Sequence, residues 1–242
     1  IISGADESAI SGLTWTATGV NGVYKTRYLA ADSVGTIIMG SHTLHKCTSR
    51  TEILTGTGTG AAGAWTYNAY SWYTNGTDSL YVRYNGSTPP AAAYIAIRPN
   101  LLSVFDKYIR ITNIAFQYAG GGTGNGIAIK VGAGSAWNGT GAVIDSCSFA
   151  HTTREAIYAF DPAGVTCDSV VVADCGFQSY AYEMGYTATK GRLEESMTPI
   201  GSDGSGWMVT RNTITGWGGG IHHNGSGAWG STLTNDWDIC DN

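Results

Sequence analysis

Charge is scarce in this sequence. Of its 242 residues only 13% are Asp, Glu, Lys or Arg, about half the usual quarter of a globular domain. A disordered chain needs charge to stay solvated, so the deficit argues for a packed protein. Basic clusters are missing as well: 13 Lys+Arg against 18 Asp+Glu leave a net charge of −5 and no cationic stripe. Nucleic acid is therefore not an expected partner. No apolar run approaches the ~18 residues that a membrane-crossing helix needs, so no membrane partner is expected either. No signal peptide is visible. Amphipathic runs of helical length are absent too; the only plausible helical turn is at 190–197, within the Lys190, Glu194 and Glu195 stretch.

Cysteine is sparse and irregular. The five residues Cys47, Cys147, Cys167, Cys175 and Cys240 are an odd number without regular spacing, which is not the pattern of a disulfide framework. Strands one pairing apart lie about 4.8 Å from each other, so Cys147 and Cys175 could meet. The expectation is nevertheless buried thiols acting as small hydrophobes.

Glycine and apolar residues are what the chain has in quantity: 35 Gly and 43% hydrophobic residues, enough for a sizeable core made of short strands and tight turns. The apolar residues recur. Segments 109–116, 142–149, 170–177 and 207–214 share one inner grammar: a short apolar strand, a polar residue, a small or sulfur-bearing residue, then a large apolar one. Aligned on Phe116, Phe149, Phe177 and Ile214, the copies are about 33, 28 and 37 residues apart, and a fifth begins at 237. Such a period signals a stacked architecture. Further strand signals follow at 126–129, 156–159 and 220–223. Strands without amphipathic helices predict an all-β fold, the coils of a parallel β-helix, each pairing only with its neighbours in the stack. The column Ile114, Cys147, Cys175 and Asn212 is then an inward ladder at a turn, where an Asn amide bonds the backbone.

Several phrases carry a resemblance. Residues 1–6 (with the Ile2-Ser3-Gly4-Ala5 phrase), 22–26, 78–83 and 108–121 resemble the right-handed parallel β-helix proteins. These are the pectate-lyase-like superfamily of secreted polysaccharide lyases, some glycoside hydrolases and phage tailspikes. The resemblance rests on structural residues over most of the chain. It implies a right-handed solenoid with a small antiparallel β module inserted near the N-terminus, and further coils before and after the residues present. On this reading residues 1–15 end an early coil, 16–93 form the inserted module closed by Pro89-Pro90, and 94–242 are the coils. It also implies action on a polysaccharide or surface glycan in an extracellular setting, secreted or on a virion. A virion spike would be a homotrimer.

Smaller motifs yield little. Residues 58–63 satisfy G-x-G-x-x-G, but no helix follows to face a phosphate. His42, His45 and Cys47 are metal-ligand types, yet positions 42 and 45 of a strand point to opposite faces. Asp236, Asp238 and Asp241 offer the oxygen ligands Ca²⁺ takes, without a complete loop of them; no other cofactor is expected. Asn75, Asn85, Asn138 and Asn224 begin Asn-Gly-Ser/Thr triplets, read here as turns before glycosylation acceptors.

The chemistry is expected in a column on the outside of the stack. His151, Arg154 and Glu155 in one coil, Tyr182 and Glu183 in the next, and Trp217 and His222 in the one after fall at equivalent points if the registers match. Glu155 and Glu183 could be the carboxylate pair of a hydrolase, which lies ~5 Å apart for retention and ~6.5–9.5 Å for inversion. Arg154, His222 and Lys130 could instead provide the base and charge stabilisation of a lyase. Trp217, Tyr182, His151 and Lys130 would bind the sugar. The same column fits a non-enzymatic glycan binder or tailspike, or a passive scaffold.

Overall fold

In the computed structural model, the chain is described except at residues 31–33, 48, 61–62, 67–69, 86, 121–125, 133–138, 153–154, 160–166, 179–197, 203, 218–220 and 224–237, and except for the side chains of 43, 45, 58–60, 63–66, 198, 202, 222 and 223. The described chain is mostly strand. Its principal feature is three five-stranded parallel sheets visited in rotation. The first holds Arg110–Thr112, Val143–Asp145, Val171–Ala173, Met208–Thr210 and Asp238–Cys240. Ile2–Ser3, Ala115–Gln117, Ser148–Ala150, Gly176–Gln178 and Thr213–Thr215 form the second. The third contains Asn100–Val104, Ile127–Val131, Glu155–Ala159, Thr198–Ser202 and His222–His223. From Arg110 onward the chain runs first, second, third and back to first, four times over.

Each sheet presents one apolar column to a common core. Ile2, Phe116, Phe149, Phe177 and Ile214 are in register in the second sheet. The rings of Phe116, Phe149 and Phe177 stack at 5.3 and 4.8 Å with interplanar angles of 7° and 5°. Ile111, Ile144, Val172, Val209 and Ile239 form the column of the first sheet, and Leu102, Ile129, Ile157 and Ile200 that of the third. Identical rings one strand spacing apart can pack face over face only in parallel, in-register pairing. This is why the Phe repeat and the sheet order specify each other.

The bend between the first and second sheets is also a column. Asn113, Ser146, Asp174, Arg211 and Asp241 all have positive φ, between 54° and 58°. The next residue in each case turns inward, giving the ladder Ile114, Cys147, Cys175, Asn212 and Asn242. Asn212 Oδ1 accepts the Cys175 N–H at 2.9 Å, and its Nδ2 donates to the Val172 carbonyl at 3.0 Å. Asn242 repeats this one coil on, accepting from Asn212 N–H and donating to the Val209 carbonyl. The ladder therefore satisfies buried backbone groups that the bend removes from the sheets. All five cysteines are free thiols. Hydrogen bonding with Cys147 and, after it, burial push the Cys175 thiol up.

Before the stack lies a second core. The strands Thr16–Ala17, Val23–Arg27, Ser79–Tyr84, Tyr70–Thr74 and His45–Lys46 form one sheet in that order, antiparallel except for the last pairing. Tyr94–Ala96, Thr36–Met39 and His42–Thr43 form another. Trp72, Leu80, Val82, Ile37, Met39 and Ile95 are buried between them. Tyr94–Ala96 pairs antiparallel with Thr36–Met39, and the chain joins the third sheet only at Asn100. Gly4 is required at the junction, because a Cβ there would run into the Tyr118 carbonyl and the Leu101 side chain.

Two short helices, Glu7–Ser11 and Arg50–Thr55, are found where none was expected. Ser49 caps the second, accepting from Glu52 N–H, and Gly56 closes it in the left-handed region. The expected helical turn at 190–197 lies outside the described residues. Of residues 58–63, the described ones belong to the antiparallel strands Thr57–Gly60 and Gly63–Thr66, not to a strand–helix turn. Asn75 makes the turn assigned to it, its side chain accepting from Thr77, Asp78 and Ser79 N–H groups.

Candidate functional site

Of the residues expected to act, the third sheet carries Lys130, Glu155 and His222, in a register different from the expected one. Lys130 stands opposite Tyr158, Tyr158 opposite Gly201, and Gly201 opposite His222; Ser103 precedes Lys130 in the same row. Ile129, Ile157 and Ile200 are fully buried in the core. Alternation then turns Lys130 and Tyr158 to the other face, where Lys130 is half-buried and Tyr158 is 7% exposed. Adjacent strands are about 4.8 Å apart, so Lys130 and Tyr158 are neighbours across one pairing. His222 takes the same register position two strands beyond Tyr158. Tyr158 is the residue that reading by sequence missed. Its signal was present: 156–158 repeats 128–130, with Lys130 replaced by Tyr158.

Glu155 does not face outward as expected. It is buried, 5% exposed, on the same side of its strand as Ile157. The position of Glu155 in the next coil is Thr198, not Glu183. The long interval after Gln178 displaces the strand, so a shift that assumed equal coils placed Glu183 one turn from Glu155. Arg154, Tyr182 and Glu183 lie outside the described residues.

Trp217 also departs from its expected outward position. It packs, half-buried, against the core that includes Phe177 and Val209. Gly216, with φ 74°, turns the chain there, as Tyr118 and His151 do in earlier coils with φ 60° and 55°. The residue after each bend comes inward: Ala119 and Thr152 are buried, and Trp217 is the third of the series.

His151 sits on the bend itself, in a ladder of rings. Tyr94 stacks on Tyr118 at 4.9 Å and 7°, and Tyr118 on His151 at 5.0 Å and 8°. Burial pushes the His151 imidazole down to about 4, so it is neutral near pH 7 and supplies a ring face without a charge. Tyr94, at one end of the ladder, is 42% exposed.

The first sheet is less suited to binding. Charges on it and on the adjoining bend pair with one another: Arg110 reaches Asp145 at 2.8 Å, and Arg211 makes a bidentate pair with Asp174 at 2.8 and 2.6 Å. The Arg211 hydrogen bonds hold the Asp174 carboxyl below its usual range. Among the described residues no three His, Cys, Asp or Glu side chains gather to hold a metal ion. Asp238 and Asp241 are exposed, whereas Asp236 lies outside the described residues. His42 is stacked on Tyr70 at 3.7 Å and 13°. No helix among the described residues is long and apolar enough to cross a membrane.

No protein-family model matches this chain, and no curated protein sequence matches it. Among solved structures it is similar to a chain of the complex structure of XylC with xylose, with a TM-score of 0.52 and 9% identity over 92% of this chain and 52% of that one. The chain thus spans about half the length of that protein, and the likeness concerns the fold alone. Three parallel sheets visited in rotation, with in-register apolar columns, fit a β-helix superfamily.

Proposed function

We propose that this chain is a carbohydrate-directed, right-handed parallel β-helix with an inserted β module. It binds an extended glycan along the outward face of the third sheet and acts outside the cell. The observation that carries this reading is the row Ser103, Lys130, Tyr158, Gly201 and His222. It sets a cation and a phenol on successive coils and an imidazole-bearing residue two coils beyond the phenol, with Gly201 on the coil between. A chain of sugar rings lying along the stack axis meets the half-buried Lys130 first, since Tyr158 is itself only 7% exposed. The similar fold of a protein solved with xylose supports a sugar as the ligand.

Of the two bond-breaking chemistries, elimination fits these residues better than hydrolysis. A hydrolase needs two carboxylates flanking the bond, and Glu155 is buried with Thr198, not an acid, beside it. A lyase needs a proton acceptor and a cation over the sugar carboxylate. Tyr158, His222 and Lys130 are the residue types for those tasks.

The test is incubation of the full chain with a panel of acidic and neutral polysaccharides, reading retention and the ultraviolet absorbance of an unsaturated product. An acidic polysaccharide should be retained and yield that product. Lys130→Ala and His222→Ala should each reduce its formation by about a hundredfold or more. Reducing ends without unsaturation would replace elimination by hydrolysis, and retention of none of the panel would sink the reading.

A further inference from the structure

The inserted module carries a notch of its own. Thr16–Ala17 pairs with Val23–Arg27 only at Thr16↔Lys25 and Ala17↔Tyr24. Beyond Lys25 the edge of the longer strand is uncovered. The preceding segment turns away, with Leu13 N–H donating to the Ala91 carbonyl at 2.6 Å. What remains between them is an open cavity of about 560 Å³, with Leu13, Thr14 and Thr16 on one side, and Lys25, Arg27 and Ser79 on the other.

Lys25 and Arg27 are two apart on a strand, so their side chains leave the same face. Both are exposed, and neither has a hydrogen-bond or ion-pair partner among the described residues. The one carboxylate lining the notch, Asp78, already accepts hydrogen bonds from Asn75 at 3.2 Å and Ser79 at 3.0 Å. The Asn75 and Ser79 hydrogen bonds, with the charge of Arg27, hold the Asp78 carboxyl below its usual range, so two exposed cations face one carboxylate and the notch keeps a positive excess in a chain of net charge −5.

The volume lies within the ~300–1,000 Å³ typical of small-molecule sites and exceeds what a bare inorganic anion fills. Hydroxyls from Thr14, Thr16 and Ser79 suit a polyol, and Leu13 offers an apolar patch to a ring face. Arg and Lys are the side chains that hold carboxylate, sulfate and phosphate oxygens. We propose that the notch binds a sugar bearing an oxyanion substituent, with the oxyanion between Lys25 and Arg27 and the ring against Thr14, Thr16 and Leu13. This site is separate from the stacked sheets and stands whether or not they bind glycan.

Calorimetric titration of the full chain tests it, with glucuronate, glucose 6-sulfate and glucose 6-phosphate as probes, and glucose and inorganic phosphate as comparisons. At least one anionic sugar should bind tenfold or more tightly than both comparisons, and which of the three does so identifies the oxyanion. Lys25→Ala and Arg27→Ala should each weaken it at least tenfold with unchanged melting, because both side chains are exposed. Lys107→Ala, which removes an exposed cation outside the notch, should keep the parent affinity. No binding by any of the three sugars, equal binding of inorganic phosphate, or binding that survives Lys25→Ala combined with Arg27→Ala would overturn the proposal.

Discussion

Asn212 and Cys175, one coil apart, are joined by a 2.9 Å hydrogen bond from the Cys175 backbone N–H to the Asn212 side-chain oxygen. The same amide donates to the Val172 carbonyl at 3.0 Å, so one side chain satisfies two backbone groups of the previous coil. Asn212 is 3% exposed, and water cannot replace it cheaply. Replacing it by Ala should therefore destabilise the protein by about 2–4 kcal/mol through unsatisfied buried groups. Denaturant unfolding checks this; a change below half a kcal/mol, about the scatter of surface substitutions, would mean that the ladder is decorative.

Phe149 is sandwiched between Phe116 and Phe177, at 5.3 and 4.8 Å. Phe149→Ala opens a cavity in the middle of the column and should cost about 3–5 kcal/mol. Phe149→Leu should recover part of that loss, since it refills volume without restoring the stack. A parent-like melting temperature for the Ala variant would contradict the core assignment.

Cys147 and Cys175 are each 2% exposed, whereas Cys240 is half-buried. A thiol reagent applied to the native protein should label Cys240 first and reach Cys147 and Cys175 only on unfolding. Mass spectrometry of the labelled peptides gives the order. Prompt labelling of Cys147, or a disulfide between it and Cys175, would show that the inward ladder is not closed.

His151 makes stability depend on pH with a definite sign. Its imidazole, ordinarily near 6.5, is pushed down to about 4 by burial. Between those values the unfolded chain binds a proton that the folded chain does not, so stability falls as pH drops from about 6.5 to about 4 and this contribution levels off below. His151→Asn keeps a residue type tolerant of the positive φ there and removes the titration. Its melting temperature should vary less than the parent's across that window; identical slopes would assign the dependence to other groups.

These outcomes also show which parts of the structure are legible in sequence. Phe116, Phe149 and Phe177 were readable because a stacked fold repeats the same side chain at the same point of each coil. Cys175 and Asn212 were readable for the same reason. In the third sheet the strands near 127, 156 and 222 were readable, but Thr198–Ser202 was not, because it contains Pro199, a residue that argues against a strand. Skipping that strand moved Glu183 into the row of Glu155. The burial of Glu155 was hidden as well, since a carboxylate at the start of a strand reads as surface. Trp217 depended on the bend at Gly216, which reverses the side facing the core. The helix Arg50–Thr55 was missed although Ser49, Glu52 and Gly56 mark it, a capping-box pattern followed by a left-handed stop.

The central claim is that the outward row of the third sheet holds a glycan, and Lys130 tests it most directly. The measurement is the affinity of the best-retained polysaccharide for the parent, Lys130→Ala and Trp217→Ala. Removing a cation that bonds the ligand should weaken binding about tenfold or more. Trp217→Ala should lower the melting temperature through its lost core contacts and leave the affinity within twofold of the parent, roughly the scatter expected for a distant site. Parent-like affinity in Lys130→Ala, or a loss confined to Trp217→Ala, would contradict the account.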